Sequence, residues 1–387
     1  MGSFKRASET VGEVSKRLKT GDTSDSGLFP SEFNVVSQCP ETREDGLKLI
    51  GTHDGVFHCD EALGCAMLQM MPAWAGSTIV RTRDEKELAK CDIVIDVGAV
   101  YDHSKLRYDH HQRTFSSNLS EEHADVPAES RPEGFVTKLS ACGLVYKHYG
   151  LKDILPVITK PFNMPETLLP TVFKKIYEGF VEEIDAIDNG INICEGEQKY
   201  RISTNLSARV GQLNPPWNED GSKPTRNALF REAMTLTGHE FCESVRRLAK
   251  SWYPARSIVE EAFNSRKSFH ESGELMMLPK YCPWQGHLSD IEKEQNVEGL
   301  LKYVLFEDSN GSWRVQAVPL EGFTNRKSLP STWRGVRDSE LSGIAGIEGC
   351  IFCHNSGFIG GNKTKDGAFK MACAALAFVE PVAEKSA

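Results

Sequence analysis

Short apolar runs and amphipathic stretches alternate along the chain from residue 47 onward. Apolar runs at 47–51, 77–81 and 92–97 are typical of strands. The last run is almost continuously apolar, which favours a parallel strand that is buried on both faces. Helical patterns at 61–68 and 85–90 lie between the three runs. This alternation predicts a doubly wound, mainly parallel α/β sheet.

The rest of the pattern predicts more helices and then a second group of strands. Helical periodicity covers 138–149, a longer stretch from 167 to 185 or 188, and much of 225–270. Asn189-Gly190, which follows the longer stretch, is a typical helix end. The later predicted elements are strands at 274–278, 303–306, 313–318 and 351–358 and a final helix at 367–378. Asn310-Gly311 between two of these strands predicts a hairpin with a type I′ turn.

The length of 387 residues exceeds what one hydrophobic core normally holds, so two domains are expected. We expect a larger α/β domain with a helical extension, a smaller C-terminal α/β domain and a polar tail at each end. The expected bounds are 1–45 for the first tail, 46–270 for the larger domain, 271–380 for the smaller domain and 381–387 for the last tail.

Composition and charge narrow the possible classes of protein. A formal net charge of −9 argues against an evenly basic surface for nucleic acid, although a local basic groove stays open. No apolar run is long enough to cross a membrane, so no membrane contact is expected. The eleven cysteines are scattered and odd in number, which indicates a reducing intracellular compartment rather than a secreted disulfide scaffold.

The N-terminal tail lacks the apolar core of a secretory signal. Its basic clusters, Lys5-Arg6 and 16–19, are candidates for nuclear import, and a plain disordered tail is the alternative. A mitochondrial presequence is less favoured, because Glu9 and Glu13 interrupt the basic face. The expected location is the nucleus, the mitochondrion or both, with the cytoplasm as an alternative.

The loop after the first predicted strand concentrates metal-binding side chains. Residues 52–61 contain His53, His58, Asp60 and two further acidic groups. Carboxylates suit hard divalent ions, and transition metals accept imidazole as well. Asp96 ends the neighbouring buried strand, where an unpaired carboxylate is costly. Ligands bind beyond the carboxyl ends of parallel strands, so these groups are expected to converge.

Two further groups of polar residues follow along the chain. Asp109-His110-His111 could direct one imidazole at a metal and the other at a substrate oxygen, while the acid orients a ring. Asp185 and Asp188 lie three apart on one face of the predicted long helix. Each group alone is more typical of a surface or capping position. Their order at the ends of successive elements favours a two-metal centre.

The candidate ligands follow one another along the chain in the order His, Asp, strand-end Asp, Asp-His-His and helix-end Asp. This order resembles that of the DHH phosphoesterase superfamily, which includes RecJ-type exonucleases and family II pyrophosphatases. More narrowly, four stretches resemble the melanocyte-proliferating-gene family of that superfamily: 51–63, 108–112, 184–190 and 357–361. The similarity runs from about residue 46 to residue 380. One departure from the wider superfamily is a one-residue insertion after His53, which places His58 where a carboxylate is usual.

The resemblance implies a ligand set and a division of roles among these residues. One metal ion would be held by His53, His58 and Asp96. The other would be held by Asp60, Asp96, His110 and Asp188, with Asp96 bridging and Asp185 as the alternative to Asp188. Asp109 would orient an imidazole ring, and His111 would contact a phosphate oxygen. Two divalent ions are expected, Mn²⁺ first, with Mg²⁺ or Co²⁺ as alternatives.

The C-terminal domain carries two overlapping motifs. Cys350, Cys353 and His354 match a haem-attachment pattern, but the residues between the cysteines are typical of a buried strand, and no haem is expected. The next stretch resembles a glycine motif that grips phosphate through free backbone amides before a helix. Its candidate substrate-binding residues are His354, Asn355, Gly357, Gly360, Gly361 and Lys363. This would place the active site in the cleft between the domains.

The leading interpretation is a metal-dependent phosphodiester hydrolase, a 3′–5′ exonuclease that attacks RNA with a hydroxide activated by two metal ions. One alternative is hydrolysis of small phosphates such as dinucleotides or pyrophosphate. Another is a regulatory protein that binds metal or RNA without turnover. Trp217, Trp333 and Phe358 could stack bases, and Lys199 and Arg201 are among the basic residues that could line a cleft. Isolated aromatic residues, however, are more often part of a core.

Overall fold

The computed structural model describes residues 32–122, 126–320 and 324–380. The basic clusters of the first tail and the tail at 381–387 lie outside these residues. The chain forms two compact units, one up to Arg246 and one from Arg247 onward. Within the described residues, no helix combines the length and the apolar character that crossing a membrane requires.

The first unit is built on a six-stranded sheet. Its strands are β1 (Asn34–Val36), β2 (Leu49–Thr52), β3 (Thr78–Arg81), β4 (Ile93–Ile95), β5 (Tyr101–Asp102) and β6 (Arg107–Tyr108). Their order across the sheet is β1-β3-β2-β4-β6-β5, and every pair is parallel except β5 with β6. The mainly parallel α/β fold predicted from the apolar runs is thereby confirmed.

Strand β1 lies in a stretch that the sequence pattern assigns to the polar tail. It pairs in parallel with β3, with Val35 opposite Ile79, and both Phe33 and Val35 are buried. An apolar run this short carries little periodic signal of its own. Its strand conformation depends on the exposed edge of β3, which lies more than forty residues away in the chain.

Helices cover the sheet of the first unit. They are Cys59–Met70, Glu85–Leu88, Ala141–Tyr149, Leu155–Thr159, Leu169–Ile176, Glu182–Asp188, Leu206–Gly211 and Lys223–Arg247, the last ending at the boundary between the units. Every residue of Cys59–Met70 is buried, and this helix packs against Ala141–Tyr149. The long helix predicted from residue 167 is helical from Leu169 to Asp188, with a π-helical turn at Tyr177–Val181.

The second unit contains a five-stranded sheet of order β10-β11-β9-β8-β7. Its strands are β7 (Leu275–Met277), β8 (Tyr303–Glu307), β9 (Trp313–Ala317), β10 (Cys350–Cys353) and β11 (Ile359–Asn362). Its helices are Tyr253–Asn264, Arg266–Phe269, Gln285–Glu294, Asp338–Ala345 and Lys365–Ala377. Val259 and Phe263 share a core with Met276 and Val304. The second unit therefore begins before the expected boundary at residue 270.

The hairpin between β8 and β9 forms as predicted, but its turn differs. A type I′ turn needs positive φ at both central residues, and here only Gly311, at φ 75°, has it. The amide of Asp308 donates to Ser312 O at 2.8 Å, and that of Gly311 donates to Asp308 O at 3.1 Å. Asn310-Gly311 thus closes a longer loop with glycine in the left-handed position.

The strand predicted at 351–358 covers most of β10 and the turn that joins β10 to β11. Gly357, at φ 70°, lies in that turn, and Gly360 and Gly361 lie inside β11. Because β11 pairs with both β9 and β10, these two glycines belong to the sheet and not to a strand-to-helix turn. Cys350 and Cys353 are buried in β10.

Candidate metal centre

The loop between β2 and the helix Cys59–Met70 brings three of the predicted ligands together. His53 and Asp60 are buried, whereas His58 is exposed at the N-cap of the helix. The amide of His58 donates to both carboxylate oxygens of Glu61, at 2.9 Å each. Glu61 Oε1 also lies 3.0 Å from His53 Nε2. A capping interaction therefore fixes the two histidines of the loop with respect to each other.

Asp96 lies at the middle of the candidate centre. Its Oδ2 is 3.2 Å from His53 Nε2, and its Oδ1 is 3.3 Å from His110 Nε2. Asp96 follows β4 with a backbone φ of 58°, a left-handed conformation that residues other than glycine rarely adopt. This turn directs the carboxylate toward histidines from two different loops.

His110 is oriented by Asn189, a residue that the sequence interpretation treated only as a helix end. The Asn189 Nδ2 group donates to the carbonyls of Lys138 and Asp185, at 2.9 Å each. Its Oδ1 therefore accepts from His110 Nδ1, 3.3 Å away. With the proton on Nδ1, the lone pair of Nε2 is available to a cation. That Nε2 lies 3.1 Å from Asp188 Oδ2.

Asp109 contacts His111 and the backbone rather than the cluster of carboxylates. Its Oδ1 is 2.7 Å from His111 Nδ1 and accepts from the His111 amide, and its Oδ2 accepts from the amide of Ala99. The hydrogen bond with Asp109 raises the pKa of His111. His111 itself is largely exposed and lies 3.6 Å from Asp96 Oδ1. This geometry suits an imidazole held out toward a ligand.

The structure separates the two acids of the helix Glu182–Asp188. Asp188 faces His110, whereas Asp185 is buried and accepts from the amide and hydroxyl of Ser140 and from Tyr177 Oη. A Cβ at Gly143 would collide with the Asp185 carboxylate, so the packing there is tight. The geometry favours Asp188 as a ligand and gives Asp185 a role in holding the start of the helix Ala141–Tyr149.

The electrostatics of the cluster reflect an excess of buried negative charge. Burial raises the pKa of Asp60, and the negative charge of Asp96 raises it further. Burial also raises the pKa of Asp188. For His53, burial acts to lower the pKa, but hydrogen bonds with Asp96 and Glu61 outweigh it and raise the pKa to about 9. Cations placed among these carboxylates would relieve their mutual repulsion.

The donor set fits divalent cations. Asp60 Oδ1, Asp96 Oδ1 and His110 Nε2 are buried and make no hydrogen bond to any described residue. Buried polar atoms without partners are uncommon, and the binding of an ion is one explanation for them. In the described part of the chain, four groups of residues have ligand atoms within 4.8 Å of one another. They are His53 with His58 and Glu61, Asp96 with His110 and His111, His58 with Asp60 and Asp188, and Asp60 with Glu61 and Asp96.

Sequence reasoning missed Glu61 and Asn189 as contacts of the site. Glu61 could have been found as the acid three residues after the N-cap His58, a capping-box spacing. Asn189 gave no comparable signal, because its contact with His110 joins residues 79 apart in the chain.

The candidate substrate-binding residues of the second unit do not form the predicted amide cradle. His354 and Asn355 are exposed in the turn between β10 and β11, and Lys363 is exposed after β11. Gly360 lies opposite Cys353 and Val315 in the sheet. Its position inside the ladder contradicts the expected glycine turn, because sheet pairing engages backbone groups that a phosphate would need.

Comparisons with known proteins assign the chain to a family. A family model for MYG1 exonuclease, described as "Uncharacterised protein family (UPF0160)", matches residues 49–376. The chain belongs to this family. The MYG1 exonuclease of Mus musculus is 47% identical over 354 residues, 90% of each chain. The MYG1 protein C27H6.8 of Caenorhabditis elegans is 46% identical over 334 residues, 85% of this chain and 95% of the relative.

Membership in the MYG1 exonuclease family confirms the narrow resemblance seen in the sequence motifs. The names of the mammalian relatives support the coarse class of a nuclease or phosphoesterase. A crystal structure of exonuclease RecJ bound to manganese aligns over 88% of this chain and 93% of that one, at 13% identity. Its TM-score of 0.22 is too low for the alignment to bear on function.

Proposed function

We propose that the protein is a metal-dependent phosphodiester hydrolase that acts as a 3′–5′ exonuclease on RNA. The observation that carries this proposal is the convergence of His53, Asp60, Asp96, His110 and Asp188 around buried ligand atoms without hydrogen-bond partners among the described residues. Membership in a family whose relatives are named exonucleases supports the same class.

The proposed ligand sets are those that the family resemblance implies. His53, His58 and Asp96 would hold one divalent ion, and Asp60, Asp96, His110 and Asp188 the other. Mn²⁺ is the ion we favour, because the donors mix imidazole with carboxylate. When bound, such ions supply Lewis acidity toward a phosphoryl oxygen and lower the pKa of a water molecule.

Side-chain and backbone groups of the protein orient the residues of the proposed centre. Asp109 Oδ1 fixes both the backbone amide and the ring of His111, and Asp109 Oδ2 accepts from the Ala99 amide. This leaves the exposed ring edge of His111 free to meet a non-bridging phosphate oxygen. The amide of Ala141 donates to Asp60 Oδ2 at 3.3 Å, so the first turn of the helix Ala141–Tyr149 steadies this carboxylate. Preorganised groups of this kind stabilise developing charge at little reorganisation cost.

We further propose that the second unit contacts substrate through exposed side chains. His354, Asn355 and Lys363 are the candidates, because all three are exposed in the turns that flank β11. Gly357, Gly360 and Gly361 would shape the β10–β11 hairpin rather than bind phosphate through their amides.

A product assay tests the proposed function. Single-stranded RNA labelled at its 5′ end would be incubated with the protein and Mn²⁺, beside the double variant Asp109→Asn/His110→Ala. Single-stranded DNA, a dinucleotide and pyrophosphate would be tested in parallel. We expect a ladder that shortens from the 3′ end, release of mononucleotides, and loss of both in the variant. Hydrolysis of the dinucleotide or pyrophosphate alone would overturn the exonuclease assignment.

A further inference from the structure

Exposed apolar side chains are unevenly distributed in the first unit. Among the residues described there, eight of the nine large hydrophobic residues that are strongly exposed are confined to four places. Seven lie in loops or turns between 53 and 60, between 97 and 100, and between 189 and 222, and Ile187 lies in the last turn of the helix Glu182–Asp188. The eight are Val56, Val100, Ile187, Ile191, Ile193, Tyr200, Ile202 and Trp217. Scattered exposed apolar residues need no explanation, but a concentration around one site indicates a contact surface.

The segment 190–204 is anchored to the candidate centre at both ends. It begins after Asn189, which accepts from His110. It ends at Asn205, the N-cap of the helix Leu206–Gly211, which packs against the helix that carries Asp60. Ile191, the first exposed apolar residue of the segment, therefore follows closely after a residue that contacts the candidate ligand His110.

The second half of this segment has the chemistry of a single-strand binder. Tyr200 is 75% exposed and is flanked by the exposed cations Lys199 and Arg201. None of the three makes a hydrogen bond, ion pair or ring contact with another described residue. The acidic residues of the segment, Glu195 and Glu197, precede this basic and aromatic half. Aromatic faces stack on unpaired bases, and adjacent cations track the phosphates.

A second exposed aromatic residue lies beside the loop that carries His53 and His58. Trp217 is 96% exposed. Three residues before it, Asn214 accepts from the amide of Phe57 at 3.0 Å and donates to the Phe57 carbonyl at 2.8 Å. Beyond it, Lys223 Nζ pairs with Asp54 at 2.8 Å. Both contacts tie the stretch that contains Trp217 to the metal-binding loop.

We propose that Tyr200 and Trp217 are stacking platforms for unpaired bases of a single-stranded nucleic acid beside the candidate metal centre, with Lys199 and Arg201 contacting its phosphates. The proposal rests on the proposed nuclease function. It adds a binding mode in which the strand is held whatever its base sequence. Stacking tolerates any base, because every base has a π face. A binder of this kind selects single strands over duplexes, whose bases are already stacked.

Binding without catalysis tests the proposal. The affinity of the full chain for a fluorescein-labelled single-stranded RNA would be measured by anisotropy in EDTA, so that no turnover occurs. Tyr200→Ala and Trp217→Ala are each expected to weaken binding roughly tenfold, and Tyr200→Phe and Trp217→Phe to retain it. Lys199→Ala with Arg201→Ala is expected to flatten the dependence on salt, by about 0.7 in logarithmic slope for each phosphate that is no longer neutralised.

Tyr281→Ala is the matched control, because Tyr281 is an exposed tyrosine of the second unit. Thermal unfolding and Mn²⁺ affinity of each variant would show that the centre is intact. Unchanged RNA affinity in the two alanine variants overturns the proposal, even where the parent releases mononucleotides in Mn²⁺. Binding that depends on Tyr200 and Trp217 in a protein that releases no nucleotide supports the proposal and overturns the nuclease function instead.

Discussion

The guanidinium of Arg81 donates from Nε to the backbone carbonyl of His53, at 3.1 Å. Its Nη2 donates to the carbonyl of Gly55 at 2.9 Å, and the group lies over the rings of Phe57 and Phe230. Arg81 is fully buried at the end of β3. The strand next to β2 therefore holds the backbone of the loop that carries the candidate ligands His53 and His58.

Replacing Arg81 with methionine is expected to loosen this loop. The buried carbonyl of His53 would lose its donor, at a cost of about 1–3 kcal/mol in the free energy of unfolding, and the half-buried carbonyl of Gly55 would lose its donor at a smaller cost. Mn²⁺ affinity is expected to fall by roughly ten- to a hundredfold, as for other residues that orient metal ligands. Urea unfolding in EDTA and Mn²⁺ titration would measure both effects. Arg83→Met, at an exposed neighbouring position, is the control, and equal Mn²⁺ affinity in the two variants would contradict a loop-holding role.

Asp96→Asn is expected to abolish hydrolysis while leaving the first unit folded. The variant keeps the shape of the side chain but removes the charge that lies between His53 and His110. We expect the rise in melting temperature on adding Mn²⁺ to shrink, because stabilisation by a ligand depends on its affinity. Calorimetry with and without Mn²⁺, together with the RNA assay, would show this. Full activity at saturating Mn²⁺ would rule out a bridging role for Asp96.

Asn189→Leu is expected to weaken Mn²⁺ binding by roughly ten- to a hundredfold, because His110 Nδ1 would have no acceptor to fix it. Asn189→Asp restores an acceptor and is expected to bind Mn²⁺ more tightly than the leucine variant. Isothermal titration of both proteins makes the comparison. If the leucine variant matched the parent, the orientation of His110 would depend on other contacts.

Asp185→Asn is expected to change the pH dependence of stability. Burial raises the pKa of Asp185 to about 7 in the folded protein, despite hydrogen bonds from Ser140 and Tyr177. An unfolded aspartate titrates near pH 3.9, so the folded state holds the proton more tightly, and this contribution is lost as pH rises from about 4 to about 7. The amide cannot titrate. Relative to the parent, the variant should therefore gain stability across that range.

Urea unfolding in EDTA at several pH values would measure this difference for Asp185. A difference in unfolding free energy that stays constant from about pH 4 to about pH 8 would show that Asp185 is already ionised throughout. Asp188→Asn provides the contrast, because its main expected effect is on Mn²⁺ affinity, through the removal of a carboxylate 3.1 Å from His110.

The sequence predicts those parts of the fold and site that depend on local pattern. The apolar runs before His53 and Asp96 locate β2 and β4, and parallel strands place both residues at one sheet edge. By contrast, β1 depends on the distant edge of β3, and the contact between Asn214 and Phe57 joins residues 157 apart. Pairings of this kind carry no periodic signal.

Gly360 and Gly361 show a second limit of pattern reasoning. Two glycines before a helix are equally typical of a phosphate-binding turn and of a strand against which other groups pack closely. A Cβ at either position would press on Leu329, Phe352 or Arg314, which accounts for glycine inside β11. The two glycines alone do not indicate whether a phosphate or a protein side chain lies against them.

The left-handed backbone of Asp96 has a consequence for the evolution and engineering of this chain. An L-residue in that conformation costs about 1–2 kcal/mol, and glycine at position 96 would adopt it without strain. A screen for thermal tolerance alone would therefore favour loss of a carboxylate that lies within 3.3 Å of both His53 and His110. Under the proposed function, a glycine variant at position 96 would resist heat better than the parent and would no longer hydrolyse the substrate.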